Sequence, residues 1–168
     1  MQDRLACNRF QGDTVQNIKQ NTYTKLIVLT FLVLALTPQA WANSKTTWHT
    51  DFDTAQQLAV KENKHVLINF TGSDWCPWCI KLDANVFSTS EFAEFAAIEL
   101  VLVKADFPQK EQLSQEQAAV NQKLARKYAV RGFPTIVILD PQGELVGTTG
   151  FRQGSAASYI EHLKELMD

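Results

Sequence analysis

The sequence predicts an α/β fold in which a central mixed sheet of about four strands carries helices on both faces. Three observations lead there. The runs His65–Phe70, Leu100–Ala105 and Thr135–Leu139 are short, rich in β-branched residues and almost wholly apolar, as strands buried on both faces are. Segments with helical spacing of apolar residues separate them. After the third run, Asp140-Pro141-Gln142-Gly143 is a strong turn signal that sends Leu145–Thr149 back antiparallel as a fourth strand.

The elements follow in chain order. Residues 43–50 are polar and read as a flexible start. Asp51 or Asp53 can cap a helix to about Glu62, with Ala55, Leu58 and Ala59 as its apolar stripe. The first strand then leads through the turn-like Thr71-Gly72-Ser73-Asp74 into a helix from Cys76 to about Val86. Pro77 is tolerated in its first turn, where amides lack partners anyway. Ser90 can cap a short helix to about Ala97 ahead of the second strand. Ser114 and Gln117 have capping-box spacing for a helix to about Tyr128. A last amphipathic helix spans about Ser155 to Met167.

The N-terminal region has a different character. Arg4, Arg9, Lys19 and Lys25 precede the apolar stretch Leu26–Leu36, and Ala40-Trp41-Ala42 supplies small residues at the third and first positions before a cut. This pattern describes a secretory signal peptide, residues 1–42, cleaved after Ala42. With Thr37 the apolar core has 12 residues, whereas a spanning helix needs about 20, so the mature chain is expected to carry no membrane anchor. Export to the periplasm or beyond follows. The leader before the apolar core is long, which leaves room for a translation start downstream of Met1. The remaining 126 residues, 43–168, suit one domain. A formal charge of −2 and no run of more than two Lys or Arg argue against nucleic acid or anionic lipid as partners.

Export makes the cysteines informative. Cys7 leaves with the leader, and Cys76 and Cys79 are then the only thiols. So close a pair staples no distant parts of the fold and closes a loop too short to restrict the unfolded chain much. Its value is chemical. Structural zinc wants four ligands, and none of His49, His65 and His162 stands at ligand spacing from the pair or from another histidine. A CxxC pair following a strand in an alternating α/β pattern instead reads as a redox dithiol. At a helix N-terminus the positive end of the helix stabilises the attacking thiolate. Cys76 is therefore expected to be exposed and nucleophilic, and Cys79, one turn on, to lie beneath it and resolve the mixed disulfide. No metal, nucleotide or flavin is required.

NFTGSDWCPWC, together with Val130-Arg131-Gly132-Phe133-Pro134-Thr135, resembles the thioredoxin superfamily over roughly residues 48–168. The pattern GSDWCxWC followed by Val86-Phe87, with Lys81-Leu82 between and Gly150-Phe151 near the end, is similar to periplasmic thioredoxin-like proteins. It is also similar to the C-terminal domain of membrane electron-transfer disulfide reductases. The resemblance implies a thioredoxin fold and a cis Pro134 beside the cysteines. It further implies that the Phe133 backbone pairs with a substrate strand, that Trp75 shapes the surface of the site, and that Trp78 gives a partner apolar contact. Thioredoxins usually carry a buried Asp on the central strand, with a lysine accompanying it. Here Asn69 stands nearest that position and Lys104 matches the lysine, with one extra residue between strand and motif. Asp74 is a conceivable substitute proton acceptor; a turn-forming or helix-capping role is the stronger expectation.

The intervening Pro77-Trp78 should tune the thiolate. No histidine lies between the cysteines, which together with the resemblance favours reduction of protein disulfides over oxidation or isomerisation. The expected partners are proteins carrying disulfides or dithiols, with a membrane electron-donor reductase as a further candidate, and the chain is expected to be monomeric. A redox-inactive chaperone-like module and a Cu(I) carrier are readings of other classes.

Overall fold

A computed structural model describes residues 46–168. The expected signal peptide, its cut after Ala42 and Cys7 lie outside the described residues. The elements are β1 (Trp48–His49), α1 (Phe52–Glu62), β2 (His65–Thr71), α2 (Pro77–Leu82), a π-helical turn (Asp83–Phe87), α3 (Ser90–Glu99), β3 (Leu100–Asp106), α4 (Gln115–Lys127), β4 (Thr135–Leu139), β5 (Leu145–Gly150) and α5 (Ala156–Met167). The sheet runs β1-β3-β2-β4-β5. Its first three strands in that order are parallel, and β4 and β5 are antiparallel to their neighbours.

The mixed sheet is thus as expected, with one strand more. Trp48 and His49, placed in the flexible start by composition, pair with Leu102 and Val103 of β3. The Trp48 ring sits edge-on to Phe87 at 5.3 Å, so a two-residue strand is fixed by contacts distant in sequence. The helix after the cysteines does reach the Val86 region, but its last five residues widen to π geometry.

Alternation along the buried strands separates two apolar layers. Leu67, Ile136 and Ile138 meet Leu82, Phe87, Phe92 and Leu163 on one face. Ile68, Phe70 and Val103 meet Ala55, Ala59 and Leu124 on the other. Helix ends are satisfied locally. Asp51 accepts the Thr54 amide at 3.0 Å. Thr89, one residue before the expected Ser90, caps α3 through the Phe92 amide. Ser114 accepts from the Gln117 amide at 3.1 Å. The Gln117 side chain, however, donates to Thr50 O and Asn121 Oδ1, so only half of the capping box forms. The turn closes through Gly143 N to Asp140 O at 3.0 Å, with Gly143 at φ 90°.

Register places the site. β2 ends where the CxxC segment begins, and Phe70 of β2 pairs with Thr135, the first residue of β4. Phe133-Pro134 and the cysteines therefore come to one end of the sheet from positions more than fifty residues apart.

Candidate active site

Cys76 and Cys79 form a disulfide with Cα atoms 5.2 Å apart. Cys76 is the N-cap of α2 with extended backbone, and its Sγ accepts the Cys79 amide at 3.2 Å. Pro77 occupies the first helical position, where its missing donor costs nothing. Contrary to the expected division into an exposed and a covered thiol, both cysteines are 4% exposed. The bond to Cys79 and the amide contact turn the Cys76 side chain against its own helix. What the surface presents around the pair is aromatic.

Two aromatic groups flank the disulfide. On one side Trp75 donates its indole N–H to Phe107 O at 2.8 Å and stands edge-on to Phe133 at 6.0 Å. Phe133 in turn stacks on Phe107 at 4.9 Å. The seat for the indole is Gly72, where a Cβ would lie 2.5 Å from the ring. On the other side Trp78, 51% exposed, packs on Phe151 at 4.9 Å. The Lys81 ammonium lies over both rings, 5.7 Å from Trp78 and 5.6 Å from Phe151. The Phe133–Pro134 peptide is cis. Thr135 pairs with Gly150, and a Cβ on Gly150 would come 2.9 Å from the Pro134 carbonyl, which puts Phe151 beside this proline.

Beneath the site, Asn69 of β2 pairs in register with Lys104 of β3, so the two side chains share a sheet face. That face also carries Leu67, which packs with Leu82 of α2. Asn69, two residues beyond Leu67, shares this face near the end of β2 that leads into the CxxC segment. It is 5% exposed, and its Oδ1 has no hydrogen-bond partner. An amide oxygen can accept a hydrogen bond but takes up no proton at neutral pH, unlike a carboxylate.

Asp74 sits in the expected turn, closed by the Trp75 and Cys76 amides on Gly72 O, but its carboxylate neither caps the helix nor faces the cysteines. Its carboxylate accepts the amides of Gln109 at 2.9 Å, Lys110 at 2.6 Å and Glu111 at 3.3 Å. The Gln109 amide, before the other two, holds its carboxyl below the usual range. Asp74 thereby fastens the CxxC approach to the β3–α4 loop, while Cys76 itself takes the helix cap. Asp106 makes a parallel tie, accepting from the Ser73 amide at 3.0 Å and from its hydroxyl. Asp106, Phe107 and Phe151 join the site from outside the residues that the sequence singles out. Gly150-Phe151 was visible only as part of a pattern, and Asp106-Phe107 closes a strand whose apolar run ends before it. Among the described residues no three His, Cys, Asp or Glu side chains converge as a metal site.

A family model described as a thioredoxin-like domain matches residues 52–165. The chain belongs to the thioredoxin-like family. Its relatives include the disulfide bond reductase DsbH of Chlamydia pneumoniae, 39% identical over 113 residues, which are 67% of this chain and 68% of that protein. Among solved structures, a DsbH oxidoreductase superposes with a TM-score of 0.71 at 37% identity, covering 78% of this chain and 89% of its own. The reduced C-terminal domain of Neisseria meningitidis DsbD gives a TM-score of 0.52 over 67% of this chain and 91% of its own. At 21% identity it speaks for the thioredoxin-like fold alone. No helix among the described residues is long and apolar enough to cross a membrane.

Proposed function

We propose that this protein is an exported thiol:disulfide oxidoreductase that reduces disulfides in other proteins. The observation that carries the reading is the Cys76–Cys79 disulfide at the N-terminus of α2, at the same end of the sheet as the cis Pro134. A relative named as a disulfide bond reductase supports the direction.

In the reduced protein the Cys76 thiolate, favoured by the helix N-terminus, attacks one sulfur of a substrate disulfide. The substrate S–S bond breaks, its second sulfur leaves as a thiolate that takes a proton from water, and Cys76 is joined to the first. Cys79, deprotonated, then attacks Cys76 Sγ. The mixed disulfide breaks, the first substrate sulfur leaves and is protonated, and the enzyme holds the Cys76–Cys79 bond. Two electrons have passed to the substrate. The backbone of Phe133 holds the substrate strand ahead of Pro134, Trp75 and Trp78 supply apolar contact, and Pro77 keeps the first turn of α2 rigid. Asn69, with Lys104 beside it in register, takes up no proton, so the proton that the Cys79 thiol gives up before the resolving step goes to solvent. Residues 1–42 direct export, and a membrane electron-donor reductase restores the dithiol. No metal or organic cofactor takes part, and the protein acts as a monomer.

Equilibration with glutathione tests the direction. A potential near that of thioredoxin, about −270 mV, is expected, and one above about −150 mV, toward strong oxidants, overturns the reductase reading. Cys79→Ser should accumulate mixed disulfides while Cys76→Ser should not; equal trapping by both contradicts the assigned roles.

A further inference from the structure

The charges around the disulfide are sorted by sign. Three carboxylates lie near the CxxC segment in sequence or contact and each is turned to internal use, Asp74 by three loop amides, Asp106 by Ser73 and Asp83, two residues from Lys81, by the Ser88 hydroxyl. The cations are free. Lys81 is exposed and its ammonium is held over the Trp78 and Phe151 rings, and Arg152, next in the chain, is exposed as well. Neither forms an ion pair among the described residues, where the pairs are Lys64–Glu62, His162–Glu165 and Lys164–Glu161. Acids outnumber bases in the chain as a whole, and by more over residues 46–168, because Arg4, Arg9, Lys19, Lys25 and Lys45 precede them. A locally positive, half-apolar surface thus stands beside the reactive pair on an otherwise acidic body.

We propose that Trp78, Phe151 and Lys81 form a subsite that selects protein disulfides with an acidic residue near the cysteine that Cys76 attacks. This deepens the reductase reading and rests on it. The occupant is an extended segment of the substrate polypeptide. Its apolar atoms cover the exposed face of Trp78, and an Asp or Glu carboxylate meets the Lys81 ammonium, with Arg152 at the rim. Trp78 lies between the two cysteines in sequence, so at ~3.3 Å per extended residue the selected side chain falls within about three residues of the partner cysteine.

The aromatic rings do more than add area. An ammonium free to sweep the solvent loses side-chain entropy when it pairs, which is one reason exposed ion pairs contribute little. Lys81 is already restrained over two ring faces, so less freedom remains to be lost. The contact is also remote from the reacting sulfurs. It binds ground and transition states alike and is read in KM and kcat/KM rather than in kcat.

The test uses two disulfide-bonded peptides identical except for Glu or Lys beside the cysteine. Each kcat/KM is divided by the same enzyme's rate on bis(2-hydroxyethyl) disulfide, small and uncharged, which removes any general change in thiol reactivity. The parent should prefer the Glu peptide by about two- to fivefold at low salt, the range for an exposed ion pair, and lose the preference in high salt as screening shortens to a few ångströms. Lys81→Met should abolish the preference and Lys81→Glu invert it. Equal use of the two peptides by the parent, or a preference that survives Lys81→Glu, overturns the proposal. Failure of the parent to reduce bis(2-hydroxyethyl) disulfide would instead overturn the reductase reading and this proposal with it.

Discussion

Asn69 and Asn121 are both buried, 5% and 2% exposed, yet only Asn121 is hydrogen-bonded at its amide oxygen. Asn121 also donates Nδ2 to Asp106 O at 2.8 Å, and its Oδ1 accepts from Gln117 Nε2 at 2.9 Å. Replacing Asn121 with Ala removes two bonds of about 0.5–1.5 kcal/mol net each and leaves a carbonyl at the end of β3 without its donor, for an expected cost of about 2–3 kcal/mol. Replacing Asn69 with Ala removes an acceptor whose lack of a partner already costs about 1–3 kcal/mol. Against that stands a small void, worth about 1 kcal/mol. The two terms nearly cancel, so Asn69→Ala should lie within about 1 kcal/mol of the parent. Urea unfolding of the oxidised protein reads both, since at a slope of about 2 kcal/mol per molar Asn121→Ala should lower the midpoint by about 1 M or more and Asn69→Ala by no more than about 0.5 M. Equal losses, or more than about 2 kcal/mol for Asn69→Ala, would refute the reasoning by showing that its oxygen is satisfied in solution.

Other consequences are as open to measurement. Gly72→Ala puts a methyl group 2.5 Å from the Trp75 indole. It should displace the ring from Phe107, shift tryptophan emission and destabilise by about 1–3 kcal/mol; unchanged emission would contradict the seat assigned to Gly72. The Asp74 carboxyl is held low in the folded protein, so its contribution is complete above the ordinary unfolded value and fades as pH falls through the lower folded one. The amide resonances of Gln109, Lys110 and Glu111 should therefore titrate together below the usual carboxylate range and show no such transition in Asp74→Ala. Titration at an ordinary pH would show that the tie is not made. Burial pushes the Tyr159 phenol upward, and its hydroxyl donates to Gly150 O at 3.0 Å. Tyr159→Phe should cost about 0.5–1.5 kcal/mol at neutral pH. In the parent, stability from this group is complete below its unfolded pKa of about 10 and is lost above it. That alkaline loss should be smaller in Tyr159→Phe, and identical alkaline profiles would argue against a buried phenol.

The parts of the fold legible in the sequence are those whose signal is local. Three buried strands announce themselves by continuous apolar runs, the Asp140–Gly143 turn by its residues, and the helix start at Pro77 by the tolerance of a first turn for proline. What the sequence hides is long-range. Nothing in Trp48-His49 signals a strand until β3 offers its edge and Phe87 its ring. The π turn at Asp83–Phe87 keeps an apolar spacing that reads equally as α-helix. Asp74 illustrates the same limit at the site, because its turn is local and legible whereas the partners of its carboxylate lie 35–37 residues away. That Asn69 stands opposite Lys104 emerges only from the seven consecutive pairs that align β2 with β3. Phe107 and Phe151 gain their places only through Phe133 and Trp78.

The antiparallel pairing of β2 with β4 also has a consequence during synthesis. Both cysteines emerge well before Phe133, Pro134 and the hairpin of β4 and β5 that docks beside them. Until those last strands arrive, the chain carries Trp75, Trp78 and Phe107 around the two thiols but lacks Phe133, Pro134 and Phe151, and the edge of β2 that pairs with β4 stays open. A chain truncated before β4 holds the cysteines without the cis proline or the Phe151 ring that packs on Trp78. The site is complete only when the last strands to be made have paired with one of the first.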